Sequence, residues 1–288
     1  MSLKTNSAPH RVRILLLIAT VLTIAAGCTG RPIAPAPPGP AGTLVIAGGG
    51  PLPDTIIEEA IRSAGGPSSR VVVIPHASRR MVAGPRNVKR FEELGCENVV
   101  ALDLSVEADA IATLDAADLI WISGGSQNRL MQILSANVRR AIHRCYERGG
   151  VVGGTSAGAA VMSPAMITGK AELEQLWSQA TDLNEGLGLL PDSIVDQHFH
   201  RRQRFNRLLS AVLDRPGSIG IGVDEETAAI VRGHVLEVIG NSSALILDAR
   251  ASTREPAEPG QSIGVRDVRL HVIRPGMHYP LPTAEEAN

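Results

Sequence analysis

What most constrains this chain is a repeated alternation of short apolar runs with helical stretches, in which several runs end in glycine. A strand pattern over residues 43–47 ends in Gly48-Gly49-Gly50. Asp54 then stands as an N-cap, Ile56, Ile57, Ala60, Ile61 and Ala64 form one helical stripe, and Gly65 stops it. Strands are expected at 71–74 and 99–102, with helices around 87–94 and 107–114. The run Leu119-Ile120-Trp121-Ile122 leads into Ser123-Gly124-Gly125, and a longer helical region carries the chain to Gly149-Gly150. Val151-Val152 is the next strand. Strand-helix-strand repetition builds a mostly parallel sheet with right-handed crossovers and helices on both faces, an α/β fold. Functional loops of such sheets gather beyond the C-terminal strand ends, where these glycine turns fall. Later the pattern changes: 227–231 and 235–239, joined around Gly233, predict a C-terminal antiparallel hairpin with 244–247 beside it. No internal repeat is visible, and residues 43–288 read as a single domain.

Composition narrows the function classes. A net charge of −1 over 288 residues gives no electrostatic reason to expect nucleic acid. Aromatic residues make up 2% of the chain, too few to furnish a stacking platform. The core must come from Ala, Val, Ile and Leu, as in a parallel sheet covered by helices.

The N-terminus has its own logic. Lys4, His10, Arg11 and Arg13 precede an apolar run over 14–26, and Ala25, Ala26 and Gly27 lead into Cys28. A basic start, a short apolar core and a small-residue cleavage site are the parts of an export signal over residues 1–27. The run is too short to span a bilayer comfortably. Its Ala-Ala-Gly-Cys ending resembles a bacterial lipobox, with Ala25 where leucine is usual. The expectation is an exported protein held in the bacterial cell envelope by a lipid on Cys28. An ordinary signal peptide with a chance cysteine is the alternative. Residues 28–42, rich in Pro and Ala, read as a tether. Cys96 and Cys145 are either one disulfide or two buried small hydrophobes, and neither has metal-ligand spacing.

The sharpest local motif is Gly154-Thr155-Ser156-Ala157-Gly158, a G-x-S-x-G between a strand and a helix. A strained strand-to-helix turn pushes such a serine outward, and small neighbours let the backbone make the turn. The Ala157 N–H, opening the helix, is placed to donate to a developing oxyanion. A serine nucleophile needs a base and an orienting partner. Of eight histidines, His198 follows an expected strand and so shares the sheet edge, with His76 and His200 as nearest rivals. A carboxylate from Asp224-Glu225-Glu226 is the candidate partner. Arg201, Arg202, Arg204 and Arg207 form a cluster suited to carboxylates, or else a solvated helix start; 202, 204 and 207 do not share one helical stripe. Gly48-Gly49-Gly50 match no phosphate-binding fingerprint and read as a tight turn near the site.

Taken together, these motifs resemble the serine peptidase family that contains cyanophycinase and aspartyl dipeptidase. The resemblance covers residues 44–247 and rests on Ser123-Gly124-Gly125 with Gln127, on 153–159, on Gly222-Val223-Asp224-Glu225, and on Asp196-Gln197-His198-Phe199 followed by the spaced arginines. It implies a flavodoxin-like sheet related to class I glutamine amidotransferases, with serine in place of cysteine. By resemblance Ser156 is the nucleophile, His198 the general base and Glu225 its orienting acid. The N–H groups of Gly125 and Ala157 form the oxyanion hole. Gln127, Asp196, Gln197, Arg202, Arg204 and Arg207 line the substrate pocket, with Asp196 or another acid meeting the substrate guanidinium. The arginine series favours cyanophycinase-type hydrolysis of multi-L-arginyl-poly-L-aspartate to β-Asp-Arg dipeptides, without metal or cofactor. Cleavage of short aspartyl or isoaspartyl peptides is the second reading, and a lipid-anchored peptide-binding protein without catalysis the third. Ser126 departs from the Asp found in many members, which bears on fine specificity. The 170–188 segment is a candidate lid, and a homodimer is left open.

Overall fold

A computed structural model describes residues 42–171 and 174–282, which fall in one compact unit. The export segment, Cys28 and the tether up to residue 41 lie outside the described residues. The first half alternates as the apolar periodicity requires. It runs β1 (Thr43–Ala47), α1 (Asp54–Ser63), β2 (Arg70–Ile74), α2 (Ala83–Glu93), β3 (Asn98–Ala101) and α3 (Glu107–Asp115). Then come β4 (Leu119–Ile122), α4 (Gln127–Ile133), α5 (Ala136–Glu147), β5 (Val151–Thr155) and the single-turn α6 (Ala157–Ala160). The helical region before Gly149 is therefore two helices. Ser135 breaks it, its hydroxyl accepting from the Val138 N–H to cap α5.

The second half is richer in strands. In the candidate lid, β7 (Thr181–Glu185) pairs antiparallel with β6 (Ala165–Ala171), which mostly precedes it. There follow β8 (Ser193–Gln197), α7 (Phe205–Asp214), β9 (Ile219–Val223), β10 (Thr227–Arg232), β11 (Val235–Gly240) and β12 (Ala244–Asp248). The chain continues through β13 (Thr253–Arg254), β14 (Val265–Arg266), β15 (Arg269–Ile273) and β16 (His278–Pro280).

Eight strands form the main sheet in the order β16-β11-β10-β1-β5-β4-β2-β3, parallel from β1 to β3 and antiparallel beyond β1 on the other side. Strands β3-β2-β4-β5 keep the flavodoxin-like order, and the fifth place goes to β1, which opens the domain. That exchange brings the Gly48-Gly49-Gly50 turn next to the end of β5. One face of the sheet packs on α1 and α2 through Val45, Ile56, Ile57, Phe91 and Trp121. Phe91 meets Trp121 edge-on at 5.8 Å, an arrangement adding about 0.5–1.5 kcal/mol to area burial. Gly153 is needed beneath that indole, because a Cβ there would lie 2.5 Å from it.

The other face packs on α3, α5 and α6, and also on a second sheet, β15-β12-β9-β8. This corrects the expectation that 244–247 lie beside the hairpin β10–β11. Strand β12 pairs instead with β9 and β15. The reason lies in the turn after β11: the Ser242 hydroxyl donates to Asp224 and the Asp224 N–H to the Ser243 carbonyl, which steers the chain alongside β9. All five β12 residues are buried, between the main sheet and α7. Cys96 and Cys145 are free thiols in core clusters on opposite faces of the main sheet, and burial pushes the Cys145 thiol up to about 11.

Candidate active site

Ser156 lies between β5 and α6 with φ 54° and ψ −109°, a conformation costing a non-glycine residue about 1–3 kcal/mol. Neighbouring contacts hold it there. The Ser156 N–H donates to the Ala47 carbonyl, while the Ala159 and Ala160 amides donate to the Ser156 carbonyl. Gly154 and Gly158 are demanded by close approach: a Cβ on Gly154 would meet the Gly158 backbone at 2.6 Å, and one on Gly158 would meet the Ile122 carbonyl at 2.2 Å. The turn thus wedges α6 against β4 and β5 and lifts the serine hydroxyl out of the sheet. Ala157, fully buried, supplies the first helical amide, which has no partner inside the helix.

The hydroxyl meets its base at once. Ser156 Oγ lies 2.9 Å from His198 Nε2, and His198 Nδ1 lies 2.6 Å from Glu225 Oε1. With Nδ1–H donating to the carboxylate, Nε2 is left to accept the serine proton. His198 follows β8 and Glu225 follows β9, so adjacent parallel strands of the second sheet deliver base and acid together. The three consecutive acids divide the work. Glu225 holds the imidazole, Asp224 accepts from the His200 and Arg201 amides, and Glu226 accepts from Asn241. The rival His200 is exposed and bonds Ser243, while His76 lies beyond β2 with its Nδ1 buried and unpartnered.

Burial is the largest influence on His198 and lowers its pKa below the ordinary histidine value. The Glu225 hydrogen bond opposes that, and the charges of Arg202 and Arg204 lower it further. The imidazole is accordingly neutral at pH 7 and competent as a base.

The glycine triplet does more than turn. The His198 N–H donates to the Gly48 carbonyl at 2.8 Å and the Glu226 N–H to the Gly49 carbonyl at 2.9 Å. A Cβ on Gly49 would stand 2.4 Å from the His198 ring, and one on Gly50 would stand 2.9 Å from a Glu225 oxygen. Both glycines have positive φ, 104° and 73°. The β1 turn is therefore the bed on which the histidine and its carboxylate lie. Its place before a helix was visible in the sequence; its partners, far along the chain, were not.

The remaining residues separate into two groups. Gly125, at φ 149°, sits against the Ala77 carbonyl, and Gly124 packs on the nucleophile, a Cβ there falling 3.4 Å from that of Ser156. Ser126 caps α4, its hydroxyl accepting from the Arg129 N–H, which is a task aspartate performs equally well. Gln127 is buried and donates to the Ile167 carbonyl at 2.8 Å. Arg202 and Arg204 precede α7, and Arg207 lies within it. Arg202 is exposed. Arg204 donates to the carbonyl and side-chain oxygens of Gln197, and its buried Nε has no partner. Burial, followed by the charge of Arg207, lowers its pKa to about 10. Arg207 grips Asp196 with two donors, Nε at 2.7 Å, and the two side chains are 4% and 1% exposed. This pair is closed to a ligand, so Asp196 does not meet a substrate guanidinium; it fixes the end of β8 next to the base. Removing one partner would strand a buried charge, at a cost of about 3–5 kcal/mol. No cluster of three or more His, Cys, Asp or Glu side chains placed to hold a metal ion occurs among the described residues.

Comparison with known proteins supplies the family. The family model "Peptidase family S51" matches residues 44–239. A cyanophycinase of Trichormus variabilis is 39% identical over 230 residues, covering 76% of this chain and 77% of that protein. One from Geminocystis herdmanii is 34% identical over 236 residues, covering 78% and 87%. The crystal structure of a peptidase from an acI-B1 actinobacterium superposes with a TM-score of 0.58 at 22% identity, covering 83% of this chain and 97% of that one, a likeness of fold. A family match over residues 44–239, which contain Ser156, His198 and Glu225 of the hydrogen-bonded relay, places this protein in peptidase family S51, as a serine-type peptidase.

Proposed function

We propose that this peptidase hydrolyses cyanophycin, multi-L-arginyl-poly-L-aspartate, releasing β-Asp-Arg dipeptides through an acyl-enzyme on Ser156. The observation that carries the reading is the hydrogen-bonded relay from Ser156 through His198 to Glu225, in a chain 34–39% identical to proteins named cyanophycinase. Ser156 Oγ attacks a main-chain carbonyl carbon while His198 Nε2 takes its proton. The amides of Ala157 and Gly125 receive the negative charge that develops on the carbonyl oxygen. Collapse breaks the C–N bond, His198 protonates the departing amine, and an ester remains on Ser156. Water, losing a proton to His198, then attacks the ester and frees the serine. Glu225 holds the imidazole in the tautomer this sequence needs and stabilises it when charged.

Arg202 and Arg204 supply positive charge beside the base, suited to the free carboxylate that each arginyl side chain of the polymer carries. Asp196, Arg207 and Gln197 support them from beneath. Incubating the soluble domain with polymer should yield dipeptides identifiable by mass. Ser156→Ala should lower turnover by about 10⁴-fold or more; undiminished activity in that variant would overturn the assignment.

The basic, apolar and small-residue segments ending at Cys28 support export and a lipid anchor. In a bacterial host, Cys28→Ala should shift the protein from the membrane fraction to the soluble one. Unchanged partitioning would remove Cys28 as the anchor.

A further inference from the structure

A cavity of about 680 Å³ opens beside the nucleophile, between its turn, the Gly50 turn and α2. Its inner wall includes Gly124 and Thr155, the immediate neighbours of Ser156, and its outer wall is the loop before α2 and α2 itself. None of residues 196–207 lines it. Its charged lining is Asp54, Arg80, Arg86, Lys89, Arg90 and Glu93, four cations against two acids, or 4 − 2 = +2. The acids are already engaged, Asp54 with Arg90 at 3.0 Å and Glu93 with Lys89 at 3.3 Å. Arg80 and Arg86 are exposed and have no acidic partner among the described residues.

We propose that this groove is an extended anion-binding subsite that takes the carboxylates of repeat units lying beyond the two joined by the scissile bond. The inference rests on the proposed hydrolysis of the polymer and specifies how the chain is held. Each repeat unit bears one free carboxylate and one guanidinium. A guanidinium-lined groove favours the carboxylate by paired N–H donation and leaves the substrate's own guanidinium directed to solvent. Positive charge then comes to the Ser156 region from two separate elements, Arg202 and Arg204 from the segment after β8 of the second sheet and Arg80 and Arg86 from the loop before α2 and α2 itself. A polymer crossing the nucleophile would touch both, whereas a two-unit substrate would not reach the groove. Length of substrate, rather than identity of the scissile bond, is what the groove reads.

The test compares long polymer with a two-unit β-Asp-Arg substrate containing one scissile bond. In Arg80→Gln/Arg86→Gln, kcat/KM on polymer should fall about tenfold, the loss expected of two exposed ion pairs. The two-unit substrate should be cleaved at the wild-type rate. The polymer defect should shrink at high salt, which screens exposed charges. Arg62→Gln/Arg70→Gln makes the same charge change at the other end of the strands, at the close of α1 and the start of β2, and should leave both rates unaltered. A polymer-to-dimer rate ratio equal to wild type in the groove variant would overturn the subsite and leave the hydrolytic reading standing. An equal polymer defect in the control variant would reduce the effect to net charge and likewise overturn it. Failure of the wild-type enzyme to digest polymer would remove both proposals together. Arg80 and Arg86 project from the surface, so thermal melts should match wild type.

Discussion

The nucleophile and its base are held by two different kinds of construction. On the main sheet, Ser156 is fixed by its own neighbourhood: Gly154 and Gly158 close a turn so tight that neither position has room for a methyl group. On the second sheet, His198 is fixed from afar, by the Gly48 carbonyl, the space over Gly49 and the carboxylate of Glu225. The first arrangement centres on five consecutive residues, with only the Ala47 and Ile122 carbonyls of the adjoining strands brought in from outside. The second exists only once β1, β8 and β9 have come together. A local device tolerates movement elsewhere in the molecule, whereas an assembled one can be detuned from any of the segments that build it.

The largest effect should come from removing either half. If serine and histidine act as one unit, His198→Ala should cost about as much as Ser156→Ala, roughly 10⁴-fold or more in kcat, and the double variant should cost no more than either alone. Additive losses would mean that the two sheets contribute separately, and the comparison would break. A smaller loss should follow from disturbing only the bed of the base. In Gly49→Ala the new methyl group would fall 2.4 Å from the imidazole, on a residue whose φ of 104° already disfavours a side chain. Displacing the ring by about an ångström should lower kcat by roughly 10²-fold while Ser156 remains in place. Full activity in this variant would show that the histidine is not seated by the β1 turn.

The same contrast explains how far the sequence could be read. Strands β1, β2, β4 and β5 were legible as buried apolar runs and β3, an exposed edge strand, as a short apolar run between helical stretches; Ser156 was legible because its motif is contiguous. That His198 stands at a strand end followed from the strand before it, but that strand belongs to the second sheet and not, as expected, to the one that carries Ser156. Which of Asp224, Glu225 and Glu226 faces the ring does not follow from three successive carboxylates; it is settled by contact with Gly50 and by the turn that places Glu226 at φ 58°. Resemblance to known peptidases named Glu225, but the residues themselves did not. The pairing of Asp196 with Arg207 was hidden because an arginine series reads as a ligand site until burial is known. The β6–β7 hairpin went unseen for a plainer reason: Thr181-Asp182-Leu183-Asn184-Glu185 is mostly polar and lacks the alternation that betrays a strand. The departure of β12 from the hairpin depended on a tie between Ser242 and Asp224 that no periodicity records.

The finest test separates the two constructions by pH. Backbone packing around Ser156 has nothing to titrate near neutrality, whereas the base sits in a field of charges. His198 is lowered chiefly by burial, is partly restored by Glu225, and is lowered again by Arg202. Acid activity should therefore persist below pH 6.5, the ordinary histidine value, and kcat/KM should fall only as the imidazole finally takes its proton. Stability carries the same sign. Between pH 6.5 and the folded value, the unfolded chain binds a proton that the folded one refuses, so this site's contribution declines as pH drops through that window and is constant below it. Arg202→Gln removes one charge that opposes imidazolium and should move the acid limb of kcat/KM toward 6.5, while Arg202→Lys should leave it in place. Because Arg202 is exposed, high salt should move the wild-type limb the same way and the Arg202→Gln limb less. Arg202 also lies where substrate carboxylates are expected, so loss of binding would lower the whole profile without displacing its midpoint. A midpoint identical in wild type and Arg202→Gln would mean that the base is insulated from the second sheet's surface charge, and that its setting is as local as that of the serine.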